Sequence, residues 1–260
     1  MMHRRSFMGF MGGIGMLASV GAPGTAIENR RIFTLGNYYL KNGTQIGRIH
    51  DHIAKAALPA LGRVHGGPKI VLEALVASHM PQVAVILGFQ SIEELWSVRS
   101  KVARDEDLMK AYDDWEAHPE QPYEHFSTSL LEATDYCPEV RNDTEPRSAS
   151  RIFELRAYHS PTWRQLRALH ERFAGPEIKI FHRVGVHPIL YSSTMLGQNM
   201  PNLTYLIPFE DLAAREKAWN AFAADPEWVR VRKESIDRYG QISSVIQIAL
   251  YRSAPYSPIR

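Results

Sequence analysis

The stretch of sequence that decides the fold runs from Asn202 to Trp228 and reads NLTYLIPFEDLAAREKAWNAFAADPEW. Alternating apolar residues mark its first part as a β-strand. These residues are Leu203, Tyr205, Ile207 and Phe209. Asp211 is placed to cap an amphipathic helix, and Asp225-Pro226 is typical of a second helix start, with a capping acid before a proline. The stretch therefore predicts a strand, a turn and two consecutive helices.

The chain also repeats itself without a gap at an offset of 120 residues. The segment RIFTL at 31–35 corresponds to RIFEL at 151–155. The same register matches Tyr38 with Tyr158, His50 with His170, Met80-Pro81 with Met200-Pro201, and Asp105 with Asp225. A register kept over this length indicates two copies of one unit. We place the first unit at 27–140 and the second at 147–260, with a polar joint near 140–150.

Each copy shows the same order of predicted elements, and the second copy is the easier one to read. Its predicted elements are a strand at 150–159, a helix at 162–174, strands at 186–195 and 202–209, helices at 211–224 and 226–238, and a strand at 241–252. The order βαββαβ is that of the ferredoxin-like unit. We therefore expect an α+β fold made of two ferredoxin-like units.

Residues 1–26 have the features of an export signal. Arg4-Arg5 precedes an apolar segment rich in glycine and methionine, and Gly24 and Ala26 suit a cleavage site. The arginine pair resembles a twin-arginine motif, which predicts a bacterial protein exported to the periplasm or beyond. A membrane anchor is the alternative, but the apolar run is shorter than the roughly 20 residues that a spanning helix needs. After cleavage we expect no membrane association.

The net charge and the cysteine content of the cleaved chain argue against two features, a nucleic-acid partner and an internal disulfide. The full sequence has 30 basic and 28 acidic residues, and removal of Arg4 and Arg5 leaves 28 of each. A net charge of zero argues against nucleic acid as a partner, because such binding needs a basic surface. Cys137 is the single cysteine, so the chain cannot form an internal disulfide.

The second copy resembles the NIPSNAP family. The opening segment FELRAY at 153–158 is similar to that family's E-L-R-x-Y strand, and 203–228 is similar to its strand–helix segment, with Arg215 and a closing DPEW. The first copy is degenerate, with TLGNY at 34–38 and DEDL at 105–108 in these places. The resemblance implies the dimeric α+β barrel superfamily, which contains monooxygenases, haem-degrading enzymes, isomerases and sensory modules. It therefore leaves open whether this chain is an enzyme.

The candidate site is inferred from which strand residues face the barrel interior. In such a barrel one sheet face lies under helices and the other faces the partner sheet. Because Phe153, Leu155 and Ala157 are apolar, we expect them under the helices, with the alternate residues of that strand facing the barrel interior. The predicted catalytic residues are Glu154 and Tyr158, and the predicted ligand-binding residues are Arg156, Tyr205, Gln247 and Tyr251. We expect Arg156 to bind an acidic or carbonyl group and Glu154 to orient it or act as a base.

Several alternatives stay open. Glu154 and Arg156 could form a packed ion pair in a non-catalytic structural or interaction module with a filled barrel. The barrel could form within one chain or between chains, and a homo-oligomer is compatible with both. No histidine spacing suits a metal site, and His50-Asp51-His52 would point its two imidazoles apart on a helix. We therefore predict no metal and no cofactor. If the protein is an enzyme, cofactor-independent monooxygenase or isomerase chemistry is the nearest analogy.

Overall fold

The computed structural model describes residues 31–141 and 151–260. The predicted export signal at 1–26 and most of the predicted joint, 142–150, lie outside the described residues. Within the described ranges, no helix has both the length and the apolar character needed to cross a bilayer.

Both units have the order βαββαβ, as the sequence predicts. The first unit contains strands β1 (Ile32–Tyr39), β2 (Lys69–Val76), β3 (Gln82–Phe89) and β4 (His125–Ala133), with helices α1 (Gln45–His52), α2 (Leu58–Val64), α3 (Ile92–Val102) and α4 (Glu106–Glu116). The second contains β5 (Ile152–His159), β6 (Leu190–Leu196), β7 (Asn202–Phe209) and β8 (Val245–Ser253), with α5 (Trp163–Arg172), α6 (Ile178–Arg183), α7 (Leu212–Ala224) and α8 (Pro226–Tyr239).

Capping residues start the helices of the second unit as expected. The carboxylate of Asp211 accepts a hydrogen bond from the main-chain N–H of Ala214, and Asp225 caps α8 directly before Pro226. Thr162 caps α5 in the same way. Local sequence therefore fixes where three of these helices begin.

The predicted first helix of the second unit, 162–174, corresponds to α5, which ends at Arg172. A π-helical turn, Phe173–Glu177, follows it, but Gly175 within this turn has a non-helical backbone, with φ −89° and ψ −107°, so the path is kinked before α6 continues to Arg183. Gly175-Pro176 therefore interrupts the helix where the prediction ends it, because proline lacks an N–H donor. The first unit has its own π-turn, Ile53–Ala57, at the same offset of 120.

The eight strands of one chain close into a single barrel in the order β1-β3-β2-β8-β5-β7-β6-β4. Every neighbouring pair is antiparallel. Strands β2 and β8 pair at one seam between the units, and β4 and β6 pair at the other. The two sheets therefore form within one chain the dimeric α+β barrel that the sequence predicts, with the helices on its outside.

The barrel interior is an apolar core shared by both units. Its buried members include Phe33, Ile70, Leu72, Ile86, Leu131, Phe153, Leu190, Leu206 and Tyr251. A separate apolar layer lies between each half of the sheet and its own helices, built around Phe173, Phe181 and Leu169 in the second unit and around Ile49, Ile53 and Trp115 in the first.

The predicted facing of β5 is therefore wrong. Phe153 and Leu155 point into the barrel, whereas Glu154, Arg156 and Tyr158 lie under the helices. The first strand has the same arrangement, since Phe33 and Leu35 also face the interior. Glu154 lies on the helix side because a buried carboxylate needs hydrogen-bond partners. Helix α7 supplies them through Arg215 and Trp219, whereas the barrel interior is apolar.

The other predicted site residues divide between the two faces. Tyr205 is buried with Tyr158 on the helix side of the sheet. Tyr251 is buried in the barrel interior, where its hydroxyl oxygen lies 2.9 Å from Nε2 of Gln82. Gln247 lies two positions before the interior residue Ala249 of the same strand and is exposed. The structure therefore does not bring the six predicted residues together in one cavity.

Candidate functional site

A polar layer lies between the sheet and the helices of the second unit, and we use that name for six residues. They are Glu154, Arg156, Tyr158, Glu177, Tyr191 and Tyr205. Strand β5 supplies three of them, β6 and β7 one tyrosine each, and the π-turn supplies the second carboxylate. All six are buried, with Arg156 the most accessible at 8% exposure.

Glu154 is fully paired by groups from α7. Arg215 donates from Nε to Oε2 at 2.7 Å and from Nη2 to Oε1 at 3.1 Å, and Trp219 donates its indole N–H to Oε2 at 2.8 Å. Both carboxylate oxygens are therefore engaged. Glu154 therefore holds α7 against β5 through charge-assisted hydrogen bonds.

Arg156 is buried with little hydrogen bonding of its own. Its guanidinium stacks over the ring of Trp219 at 4.1 Å and lies 5.4 Å from the ring centre of Tyr158. The nearest carboxylate contact joins Nη1 to Oε1 of Glu154 at 3.4 Å, and Nε has no hydrogen-bond partner among the described residues. Arginine carries five N–H donors, so this guanidinium keeps donor capacity for another group.

The three tyrosines add further donors beside this guanidinium. The Tyr158 and Tyr205 rings meet edge to face at 5.2 Å, and Tyr191 stacks 5.6 Å from Tyr205. Burial raises the pKa of Tyr205 well above its ordinary value of 10, so its hydroxyl stays protonated. Within the described ranges, the hydroxyl of Tyr191 has no hydrogen-bond partner, and that of Tyr205 interacts with the hydroxyl of Tyr158.

Glu177 and Tyr191 are the two members that the sequence did not indicate, and Glu177 is the charged one. Arg172 donates from Nε to its Oε2 at 2.6 Å, while Oε1 is buried without a partner in the described part of the chain. Burial raises the pKa of Glu177, and its charge acts on Arg156 and on Tyr205. The signal that could have located Glu177 is the segment FAGPE at 173–177, which is 120 residues after IAKAA at 53–57 and replaces an alanine with an acid.

The first unit has no charged residue at the equivalent positions. The residues 120 positions earlier than Glu154, Arg156, Glu177, Tyr191, Tyr205 and Arg215 are Thr34, Gly36, Ala57, Val71, Val85 and Leu95. Phe126 fills the space over Gly36, since a Cβ atom at Gly36 would lie 3.0 Å from its Cζ. The fold can therefore be built without buried charges, and the polar layer is a property of the second unit alone.

The helix-side face of β8 beside Arg156 is partly exposed. Ile246 and Ile248 on β8 pair with Tyr158 and Arg156 and so share their face of the sheet. Both isoleucines remain about half exposed, at 46% and 45%. Their counterpart in the first unit at the position of Ile246 is Phe126, which covers Gly36. The second unit therefore presents an uncovered apolar strip next to a buried guanidinium.

Histidines take no part in the polar layer. His170 contacts the hydroxyl groups of Tyr136 and Ser193, and His50 contacts Tyr256 and Glu73. His52 stacks on Trp115 with ring centres 4.2 Å apart. Across residues 31–141 and 151–260, no three histidine, cysteine or acidic side chains are grouped as metal ligands.

A known protein family matches the second unit of the chain. Residues 153–258 match the sequence model of the NIPSNAP family, which confirms the resemblance for the second unit. No curated protein matches the chain.

Three solved structures share the fold over most of the chain. A candidate monooxygenase from Fusobacterium nucleatum has a TM-score of 0.55 at 10% identity, covering 86% of this chain and 92% of its own. An anthrone oxidase-like protein has a TM-score of 0.53 at 11% identity, with 86% and 91% covered. A candidate monooxygenase from Lactobacillus acidophilus has a TM-score of 0.51 at 10% identity, with 86% and 94% covered. At these identities the likeness shows the α+β barrel fold.

Proposed function

We propose, from the premise that residues 153–258 form a NIPSNAP unit, that the polar layer binds a small molecule with an anionic or carbonyl head and an apolar body. The observation that carries the proposal is Arg156, a buried guanidinium whose Nε has no partner among the described residues. Buried polar groups are normally hydrogen-bonded, so a guanidinium held in this way is prepared for a ligand.

Charge supports an anionic or electron-rich head group. The ionic groups in and around this layer are the guanidiniums of Arg156, Arg172 and Arg215 and the carboxylates of Glu154 and Glu177. These five groups sum to one net positive charge. The protonated hydroxyls of Tyr191 and Tyr205 add neutral donors, which suit a carboxylate, an enolate or a carbonyl oxygen.

The exposed strip on β8 supports an apolar body. Ile246 and Ile248 lie directly beside Tyr158 and Arg156 on the sheet, and burying such side chains against a ligand is favourable. In the first unit Phe126, at the position of Ile246, packs over Gly36 while staying 44% exposed. An aromatic or aliphatic group of the ligand would pack on Ile246 and Ile248.

The test is mass spectrometry of small molecules released from the purified native protein, with a thermal-shift panel of aromatic and aliphatic carboxylates beside it. We expect Arg156→Ala to lose the released molecule, or the shift, while circular dichroism shows a folded protein. Gln247→Ala, on the opposite face of the sheet, is the control and should retain both.

A structural or interaction module remains the competing function. If Arg156 only packs against Glu154, its removal should lower stability and change no binding. A folded Arg156→Ala protein with unchanged ligand content, or a wild-type protein with neither a released molecule nor a shift, would contradict the binding proposal.

A second candidate function, isomerase-like proton transfer, is favoured by Oε1 of Glu177. A buried carboxylate with a raised pKa and a free oxygen suits a general base. It would take a proton from the carbon next to a carbonyl, the electron pair would form an enolate oxygen facing Arg156, and the proton would return to carbon. Deuterium exchange into the released ligand in D2O, followed by NMR, should stop in Glu177→Gln while binding persists; unchanged exchange would exclude this role.

Export is a separate proposal that the arginine pair supports. Arg4 and Arg5 precede a mildly apolar segment, as in twin-arginine signals. Replacement of both arginines by lysine should leave the precursor in the cytoplasm of an expressing bacterium. Normal export of that double variant would contradict the twin-arginine route.

A further inference from the structure

A basic cleft opens at one end of the second unit, apart from the polar layer. Its volume is about 420 Å³, and it lies where α6 ends, β6 begins and β7 runs into α7. Its charged and titratable lining residues are Arg141, Arg151, His182, His187 and Glu210. None of these residues belongs to the polar layer, so the cleft is a separate feature of the molecule.

Three basic groups crowd together in this cleft. The rings of His182 and His187 stack with centres 5.1 Å apart and planes 25° apart, and Nη1 of Arg141 lies 3.4 Å from Nε2 of His182. Within the described ranges, no carboxylate lies at ion-pair distance from Arg141. Arg151, by contrast, donates from Nε to the main-chain oxygen of Arg260 at 2.7 Å. Protonation of His182 beside the Arg141 guanidinium is unfavourable unless an opposite charge relieves the repulsion.

In the equivalent cleft of the first unit, the basic side chains have partners within the protein. Its volume is about 360 Å³, and there Arg31 pairs with Glu139 at 2.5 Å. The ammonium of Lys69 donates to the main-chain oxygen of His65 at 2.7 Å. The positions matching His182 and His187 are Gly62 and Gly67. The histidine pair is thus an addition specific to the second unit.

We propose that the cleft formed by Arg141, His182 and His187 binds a small oxyanion. The two imidazoles and the guanidinium can donate N–H hydrogen bonds to its oxygens, and these charge-assisted bonds are stronger than neutral ones. The carboxylate of Glu210 faces the same cleft and opposes an anion, so binding should strengthen when His182 is protonated.

The expected pH dependence follows from the groups that face His182. Burial, and then the charges of His187 and Arg141, lower its pKa, so free His182 is mainly neutral at pH 7. A bound anion favours the protonated imidazole, and by linkage a lower pH must strengthen binding. Arg183, the next residue of α6, pairs outside the cleft with Asp225 and Glu227.

Sulfate is the suitable probe because its charge stays constant between pH 6 and pH 8. Titration would be followed through the NMR signals of the histidine rings, with sodium chloride of equal ionic strength as the reference. We expect the dissociation constant to be about fivefold or more smaller at pH 6 than at pH 8. Arg141→Gln and His187→Gln should each weaken binding about three- to tenfold.

The control variant is His118→Gln, which removes an exposed imidazole from the first unit and should leave sulfate binding unchanged. Sulfate shifts at His182 and His187 no larger than those with chloride would overturn the proposal. So would binding that is equal at the two pH values, or equal in the Arg141→Gln and His187→Gln variants and the wild type.

Discussion

At the scale of single residues, the two units place different basic side chains at one equivalent position, Arg172 in the second unit and His52 in the first. Arg172 pairs with Glu177 and lies 4.9 Å over the ring of Trp228. Its counterpart 120 residues earlier, His52, stacks on Trp115, and its Nε2 has no partner among the described residues. The second unit keeps the charge and supplies a carboxylate, while the first favours a neutral imidazole.

This difference predicts a pH-dependent stability that is specific to the first unit. Burial lowers the pKa of His52 from 6.5 to about 4, so the unfolded state binds its proton more readily than the folded state. The contribution is complete above pH 6.5 and is lost as the pH falls towards 4. Between pH 7 and pH 5, wild type should lose about 1 kcal/mol more unfolding free energy than His52→Phe, after allowance for solvent screening.

Urea denaturation of both proteins at the two pH values measures this difference, and the contributions of other titrating groups cancel in the comparison. His118→Gln should follow the wild type. A His52→Phe protein whose stability changes with pH as steeply as that of wild type would show that His52 does not carry the effect.

At the scale of elements, one face of β5 packs in the barrel core and the other face carries the charged residues of the polar layer. Phe153 and Leu155 belong to the barrel core, and Glu154 and Arg156 belong to the helix side. Directly paired residues of neighbouring strands confirm this division, because Phe153 lies opposite the interior residue Tyr251. Substitutions on the barrel face of β5 should therefore change stability, and substitutions on its helix face should change ligand binding.

The corresponding prediction is that Phe153→Ala lowers the unfolding free energy by about 3–5 kcal/mol, because it leaves a cavity in a fully buried core. The folded fraction should keep its ligand, since the helix side of β5 is untouched. Chemical denaturation and mass spectrometry of released molecules test the two parts. Val245→Ala, at an exposed position of β8, is the control and should change neither. Loss of ligand from folded Phe153→Ala would contradict the separation of faces.

At the scale of the whole molecule, closure of the barrel depends on both units. The β2–β8 seam pairs Leu72 with Ser253, and the β4–β6 seam pairs Ala133 with Ser192. The apolar core between the sheets draws residues from both halves of the chain. Either half alone would expose that core and two strand edges, which favours association with a partner.

Separately expressed halves, 27–140 and 147–260, should therefore assemble into a 1:1 complex when mixed. Size-exclusion chromatography with light scattering measures the assembly, and the intact chain supplies the reference for mass and shape. A second half that forms a stable homodimer and ignores the first half would show that pairing within one chain is not preferred.

The sequence by itself determined the duplicated α+β architecture, because strand alternation, helix caps and the 120-residue register are local or pairwise signals. It also identified Glu154, Arg156, Tyr158 and Tyr205 as polar or aromatic residues of the sheet. These four do lie together, on the helix side rather than inside the barrel.

Only the tertiary structure decided which face of β5 is which. A period of two shows that neighbours alternate but leaves the two faces interchangeable, and the choice depends on which surface offers partners to a buried charge. Arg215 and Trp219 on α7 are those partners. The placement of Glu177 in the polar layer likewise depends on packing, because Glu177 lies beyond the kink at Gly175, past the end of α5.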